Sequence, residues 1–159
     1  NRTLRVRGVL IEEPQPLHLP YLWAAYRRSA FAHKLPADIQ QDEFATRLAR
    51  AYGDRGRAWV LSATTPSGMI PVGLMTAAVE QHRLYPHVVW FPEATARNKL
   101  EVVCRFFETV GRMSLLLVIA EPKDAVFYRR VCRYTQAREV GYIVGYYRDR
   151  DGIVFQSHA

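Results

Sequence analysis

The stretch that decides the fold runs Trp90-Phe-Pro-Glu-Ala-Thr-Ala-Arg-Asn-Lys-Leu-Glu-Val-Val-Cys-Arg-Phe-Phe-Glu-Thr-Val110. An apolar strand stops here at Pro92, and an amphipathic helix begins a few residues later. Thr95 suits the N-cap, because its hydroxyl can accept from a first-turn amide that has no partner within the helix. Leu100, Val103, Cys104, Phe107 and Val110 then recur at i, i+3, i+4, i+7 and i+10, one stripe of a 3.6-residue repeat. Glu101 with Arg105, and Glu108 with Arg112, are spaced as i,i+4 pairs on the outer face. A strand that feeds a helix through so short a turn aims free backbone N–H groups and the positive end of the helix dipole at one spot, which suits an anion.

Upstream of this joint, Leu84 to Phe91 reads as a strand, preceded by two β-rich runs, Ala58 to Thr65 and Pro71 to Glu80. Pro66-Ser-Gly68 between those runs marks an antiparallel hairpin. Earlier still, two helices are expected. Pro20 suits a first helical position, with Leu22, Ala25, Tyr26 and Ser29 on one face; Asp38 can cap a second helix carrying Phe44, Leu48, Ala51 and Tyr52, stopped by Gly53. Leu4 to Ile11 begins the chain as a strand.

Downstream, Gly111 is placed to end the helix, and Leu115-Leu-Leu-Val-Ile-Ala120 is a continuous apolar run, the mark of a central strand covered on both faces. Lys123 to Tyr134 reads as another amphipathic helix. Tyr142 to Arg148 and Ile153 to Ser157 form a closing hairpin around Asp149-Arg-Asp-Gly152.

The 159 residues, 49% hydrophobic and 12% aromatic, match one domain over 1–159 with a core of its own. No apolar run approaches the roughly 18–20 residues that span a bilayer, and no signal-peptide pattern opens the chain, so no membrane partner and a cytoplasmic location are expected. Cys104 and Cys132, the two cysteines, fall on helix stripes and suggest neither a disulfide framework nor a metal site. The net charge is +7, and 19 of the 22 basic residues are arginine. Nucleic acid, nucleotide cofactors and acidic proteins all remain compatible with that charge.

The order β, α, α, three antiparallel strands, α, β, α and a final β pair resembles the GNAT family of acyl-CoA N-acyltransferases over nearly the whole chain. Val72-Gly73-Leu74 looks like the family's small-residue strand, Pro92-Glu93 and the following helix like its pyrophosphate loop, and Phe127-Tyr128 like the aromatic pair on its last helix. The resemblance implies an α+β fold, a mixed and mostly antiparallel sheet of about seven strands flanked by about four helices. It also implies acetyl-CoA or another acyl-CoA, with the pantetheine between the fourth and fifth strands and an amine as acceptor.

Carried over by residue, the resemblance assigns cofactor contacts to Phe91, Thr95, Ala96, Arg97, Asn98, Lys99 and Glu121. The loop is degenerate, since Asn98 and Leu100 stand where the family has small residues that let the backbone approach a diphosphate. Glu121 occupies the family's asparagine position. Tyr128 is the implied acid for the departing thiolate. Glu80, His82, His87, Glu93 and Glu121 lie on or beside the central strands as possible bases; His87 comes first by its intrinsic pKa.

Two other readings stand beside the enzyme. A GNAT-shaped protein without catalysis would serve as an interaction or structural module, for example a phage or virion-associated component in a larger assembly. Arg129, Arg130, Arg133 and Arg138 could instead neutralise nucleic-acid phosphates, without sequence preference.

Overall fold

The computed structural model describes residues 8–29, 32–52 and 56–158. Among them are seven strands and four α-helices: β1 Val9–Glu12, α1 Leu19–Arg28, α2 Gln41–Tyr52, β2 Gly56–Thr65, β3 Gly68–Glu80, β4 Arg83–Trp90, α3 Ala96–Met113, β5 Leu115–Ala120, α4 Pro122–Tyr134, β6 Arg138–Ile143 and β7 Gly152–Gln156. The strands form one sheet in the order β1-β2-β3-β4-β5-β7-β6. Every neighbouring pair is antiparallel except β4 with β5. The α+β architecture expected from the element order is therefore present.

Period-two alternation divides the sheet into two faces. Trp59, Leu61 and Ala63 of β2 and Leu84, Val88 and Trp90 of β4 pack with α3 and α4. Val60, Leu74 and Val89 point the other way, against Leu22 and Ala25 of α1 and Phe44 of α2. The α3 stripe enters the larger cluster as expected, with Leu100, Val103, Cys104 and Phe107 all buried. Phe106 adds an edge-on contact to Trp59, ring centroids 4.9 Å apart.

Gly73 shows why one strand position stays small. A Cβ there would lie 3.0 Å from the Trp90 ring and 3.1 Å from the Val89 carbonyl oxygen. The β2–β3 turn uses Gly68 at φ 98°, whereas the two-residue β3–β4 turn holds Gln81 and His82 at φ 50° and 65°. Both central residues left-handed is the geometry that matches strand twist in a tight hairpin.

Several expectations change. The first strand begins at Val9; positions 4–7 and the Gly53 stop fall outside the described residues. Asp38 does not cap α2, which starts at Gln41, because the amide of Ile39 closes a turn onto Pro36 and Phe44 makes the first helical bond to Gln40. Gly111 does not end α3. The helix continues to Met113, and Gly111 is small because a Cβ would come within 2.9 Å of Ser157. Glu101 pairs backwards with Arg97 at 2.7 Å, and neither expected i,i+4 pair, Glu101 with Arg105 or Glu108 with Arg112, is among the ion pairs of the described residues.

The middle of the sheet is β4, not β5. Along β5, buried residues alternate with half-buried ones. Leu116, Val118 and Ala120 join the α3/α4 cluster, while no β5 residue belongs to the cluster beneath α1 and α2. Cys132 is half-buried rather than buried. The closing hairpin begins earlier, at Arg138, and 144–151 is a turn in which the Asp151 carboxylate accepts from the Gly145 amide at 3.0 Å.

Candidate functional site

The site begins at a break in the sheet. Strands β4 and β5 pair at only two positions, Arg83 with Leu115 and Leu84 with Leu116. The Phe91 amide donates to the Val72 carbonyl at 2.9 Å, so along β4 the odd-numbered amides face β3 and the even-numbered ones face β5. The next ladder bond to β5 would come from residue 86, and Pro86 has no N–H. Pairing ends there. Beyond it the amides of Val88 and Trp90 point into the gap between the two strands.

At one end of this gap stands the N-terminus of α3. Thr95 caps it as expected, its hydroxyl accepting from the Asn98 amide at 3.1 Å, and the Thr95 amide in turn donates to the Asn98 side-chain oxygen at 3.2 Å. This reciprocal capping box engages Asn98, and the Lys99 amide already donates to the Thr95 carbonyl at 3.0 Å. The amides of Ala96 and Arg97 are left without an acceptor among the described residues, and they could meet an anion. Arg97 is held by Glu101, and the Lys99 ammonium lies 5.8 Å from the centre of the Trp90 ring. Leu100 is buried in the core. Phe91 is also buried, turned into the cluster under α1 and α2.

Tyr128 projects from α4 between Phe127 and Phe155, with ring centroids 5.2 and 5.5 Å away. Burial, then Asp124 and Tyr147, push its phenol well above the usual range, so it stays protonated across neutral pH. Tyr147, which sequence reasoning assigned to a strand, comes back from the β6–β7 turn, and its hydroxyl donates to the Ile119 carbonyl at 2.5 Å. The 116–157 pair fixes β5's even-numbered groups toward β7, so that carbonyl faces the gap. Tyr147 thus places a phenol at this edge, close enough to act on Tyr128 electrostatically, its own pKa raised by burial and then by Tyr146, Glu121 and Asp124. Its only sequence signal was an aromatic beside Asp149-Arg-Asp-Gly152, a turn motif.

Glu121 precedes α4 without capping it by its side chain, and instead meets Lys123 and Arg150, each at 3.3 Å. His87 points to the opposite face from Tyr128, toward α2, and lines a cavity there with Thr76 and Val89. Partial burial, then Lys34, lower its pKa below the usual 6.5. The other possible bases are dispersed. Glu80 and His82 sit at the β3–β4 turn, and Glu93 accepts from Arg28 of α1 at 2.7 Å, tying that helix to the turn before α3. Among the four arginines of the nucleic-acid reading, Arg129 is paired with Glu139 at 2.7 Å.

No helix of the described residues is long and apolar enough to cross a membrane. No protein-family model matches the sequence, and no curated protein matches it. Solved structures do resemble it in shape. A chimeric spermidine N-acetyltransferase from Vibrio cholerae is 10% identical with a TM-score of 0.69, 94% of each chain being covered. The Vibrio cholerae spermidine N-acetyltransferase in complex with CoA and spermine is 12% identical, again over 94% of each chain, with a TM-score of 0.59. The ribosomal-protein-S18-alanine N-acetyltransferase from Escherichia coli is 15% identical over 93% of this chain and 92% of its own, with a TM-score of 0.55. At such identities the likeness is one of fold.

Proposed function

We infer that this chain, whose fold is that of the GNAT acyltransferases, is an acyl-CoA-dependent N-acyltransferase that passes an acyl group, acetyl in the simplest case, directly to an amine. The observation that supports this reading is the gap at Pro86, which leaves the Val88 and Trp90 amides aimed at a space bordered by a helix N-terminus and the Tyr147 phenol, with which Tyr128 interacts electrostatically. Amides fixed in that way suit the oxyanion that develops when an amine attacks a thioester carbonyl.

The two faces of the sheet divide the proton chemistry. His87, on the α2 face, is the proposed base: kept neutral by its lowered pKa, it can accept the proton that the attacking nitrogen must lose. Tyr128, on the α4 face, is the proposed acid, supplying a proton to the sulfur as the C–S bond breaks and the C–N bond forms. A free thiol near 8.5 would be a weak partner for so high a phenol, yet the desolvation that raises Tyr128 also raises a thiol enclosed beside it. The amides of Ala96 and Arg97 would meet the diphosphate, with Lys99 and Thr95 beside them, and the Glu121–Arg150 pair stands at the same open end of the gap, where the parallel strand β5 stops. Asn98 and Leu100 serve the helix and the core, so the phosphate contact proposed is smaller than the family's usual loop would give.

Calorimetric titration with acetyl-CoA tests the reading. Micromolar binding is expected, and millimolar or absent binding would sink it. Release of free CoA in the presence of amines then separates the phenols: Tyr128→Phe should lower turnover about 100-fold or more with little change in acetyl-CoA affinity. If Tyr147→Phe shows that loss instead, the acid is Tyr147.

A further inference from the structure

The sheet ends differently at its two edges. At one, β1 has only four residues and leads into a loop with Pro14 and Pro16, and shortness and proline both keep an edge strand from pairing. At the other, every residue of β6 from Arg138 to Ile143 is exposed. Of the twelve exposed large apolar side chains among the described residues, five lie within 140–146: Val140, Tyr142, Ile143, Val144 and Tyr146. Tyr142 is 66% exposed and Val144 78%. Together the five present on the order of 600 Å² to solvent, as much as the largest apolar patch on an ordinary monomer, which often marks an interaction site. The segment holds no lysine or proline. Its charges, Arg138 and Glu139, stand at one end, and Glu139 is occupied by Arg129 at 2.7 Å.

The direction of the free backbone groups follows from the ladders next to β6. The Ser157 amide donates to the Leu116 carbonyl, so along β7 the odd-numbered residues turn their N–H and C=O toward β5 and the even-numbered ones toward β6. Val154 lies opposite Gly141 and Gly152 opposite Ile143, which turns the groups of Gly141 and Ile143 inward. Tyr142, between them, aims both its N–H and its C=O off the sheet. Its side chain shares the α4 face with Ile153, the residue opposite. The bulge between Glu139 and Gly141 falls at Val140 and leaves the pairing at Tyr142 regular.

We propose that the chain forms a two-fold dimer in which β6 pairs antiparallel with β6 of a second copy, the axis passing at Tyr142. The Tyr142 amide of each copy then donates to the Tyr142 carbonyl of the other, the hydrogen-bonded pair of an antiparallel ladder. The two phenol rings stand side by side on one face, a cross-strand aromatic pair. Outward from the axis Gly141 faces Ile143, Val140 faces Val144, Glu139 faces Gly145 and Arg138 faces Tyr146. No like charges oppose one another, and a guanidinium meets an aromatic ring. The segment is thus its own complement, as a two-fold interface requires. Its apolar area is most of the about 800 Å² that each partner contributes to a stable interface. Val144 opens the turn that carries Tyr147 to Ile119, so the second copy steadies the phenol at the gap as well.

Sedimentation equilibrium over about 1 to 100 μM tests this, with twice the mass of one chain expected in the upper part of the range. Tyr142→Lys sets two ammonium groups side by side on the axis and should weaken association about 10-fold or more. Leu17→Lys and Met113→Lys, at apolar positions at least as exposed, should leave it unchanged. Tyr142→Pro removes the outward amide and should act as Tyr142→Lys does, circular dichroism showing that each variant is folded. Hydrogen exchange reads the register in the parent protein: exchange at the Tyr142 amide should slow as protein concentration rises, while the inward amides of Gly141 and Ile143 should not follow it. A monomer at the highest concentration overturns the proposal. So does a dimer that Tyr142→Lys leaves intact, or one in which exchange at Tyr142 is independent of concentration. Where neither Tyr142 variant folds, the exchange measurement decides.

Discussion

Replacing Arg28 with alanine isolates the contact that ties α1 to the turn before α3. Arg28 Nη2 lies 2.7 Å from Glu93 Oε1, and the other carboxylate oxygen is buried without a hydrogen-bond partner among the described residues. Glu93 is thus already short of one partner, and Arg28→Ala removes the other, leaving a charge partly enclosed and unpaired. A hydrogen bond to a charged group contributes about 1.5–3 kcal/mol, but exposed ion pairs contribute only about 0–1 kcal/mol. With 55% of the Arg28 side chain and 29% of Glu93 exposed, the loss should lie between these limits. About 1.5 kcal/mol, or a Tm lower by about 3–6 °C, is expected. Urea denaturation of Arg28→Ala, Glu93→Gln and the double variant reads the effect. The double variant should be more stable than Arg28→Ala alone, since a neutral amide costs less to enclose than an unpaired carboxylate. If Arg28→Ala is indistinguishable from the parent protein, or the double variant is weaker than it, the reasoning fails.

Two further perturbations probe the turn and the cavity. Converting Gln81-His82 to Asn-Gly places residues that tolerate the left-handed region at φ 50° and 65°, and should stabilise the protein by about 1 kcal/mol in urea; destabilisation would contradict the two-residue hairpin. Because burial and then Lys34 lower His87's pKa, the folded protein favours the neutral ring. The unfolded chain therefore binds more protons just below pH 6.5, so His87's contribution is present above that pH and is lost as the pH falls through it toward the folded value. His87→Gln should flatten this acid slope in urea midpoints, and a proton-NMR titration midpoint for His87 at or above 6.5 would exclude the effect.

The parts of the fold that the sequence made legible are those where local pattern and burial agree. The Leu100 to Phe107 stripe, the Thr95 cap and the Pro66-Ser-Gly68 hairpin all follow from spacing and turn chemistry, and the structure places them accordingly. Rank within the sheet was less accessible. Leu115 to Ala120 is apolar throughout, yet its position beside β4 rather than at the centre depends on which helices cover which face. The cavity beside His87 was hidden for a different reason: its walls come from separate stretches, Phe44 and Arg47 of α2, Leu74 and Thr76 of β3 and His87 and Val89 of β4, and no spacing in the sequence relates the three. Tyr147 was obscured because the strand ends at Ile143, and its hydroxyl reaches Ile119 only through the tertiary fold. Pro86 was the missed clue, since a proline within an interior strand already argues for an interrupted ladder.

That proline also determines how the opening between β4 and β5 persists. A gap kept apart by a wedged side chain would depend on that side chain's rotamer and on its neighbours; this one follows from a hydrogen that the pyrrolidine ring cannot carry. Separating the strands is therefore settled when the chain folds. A molecule that enters need not exchange a backbone hydrogen bond at that position for its own contacts, and its association has one less conformational barrier to cross. Pro86→Val, by restoring the donor, would turn a permanent doorway into one that has to be opened.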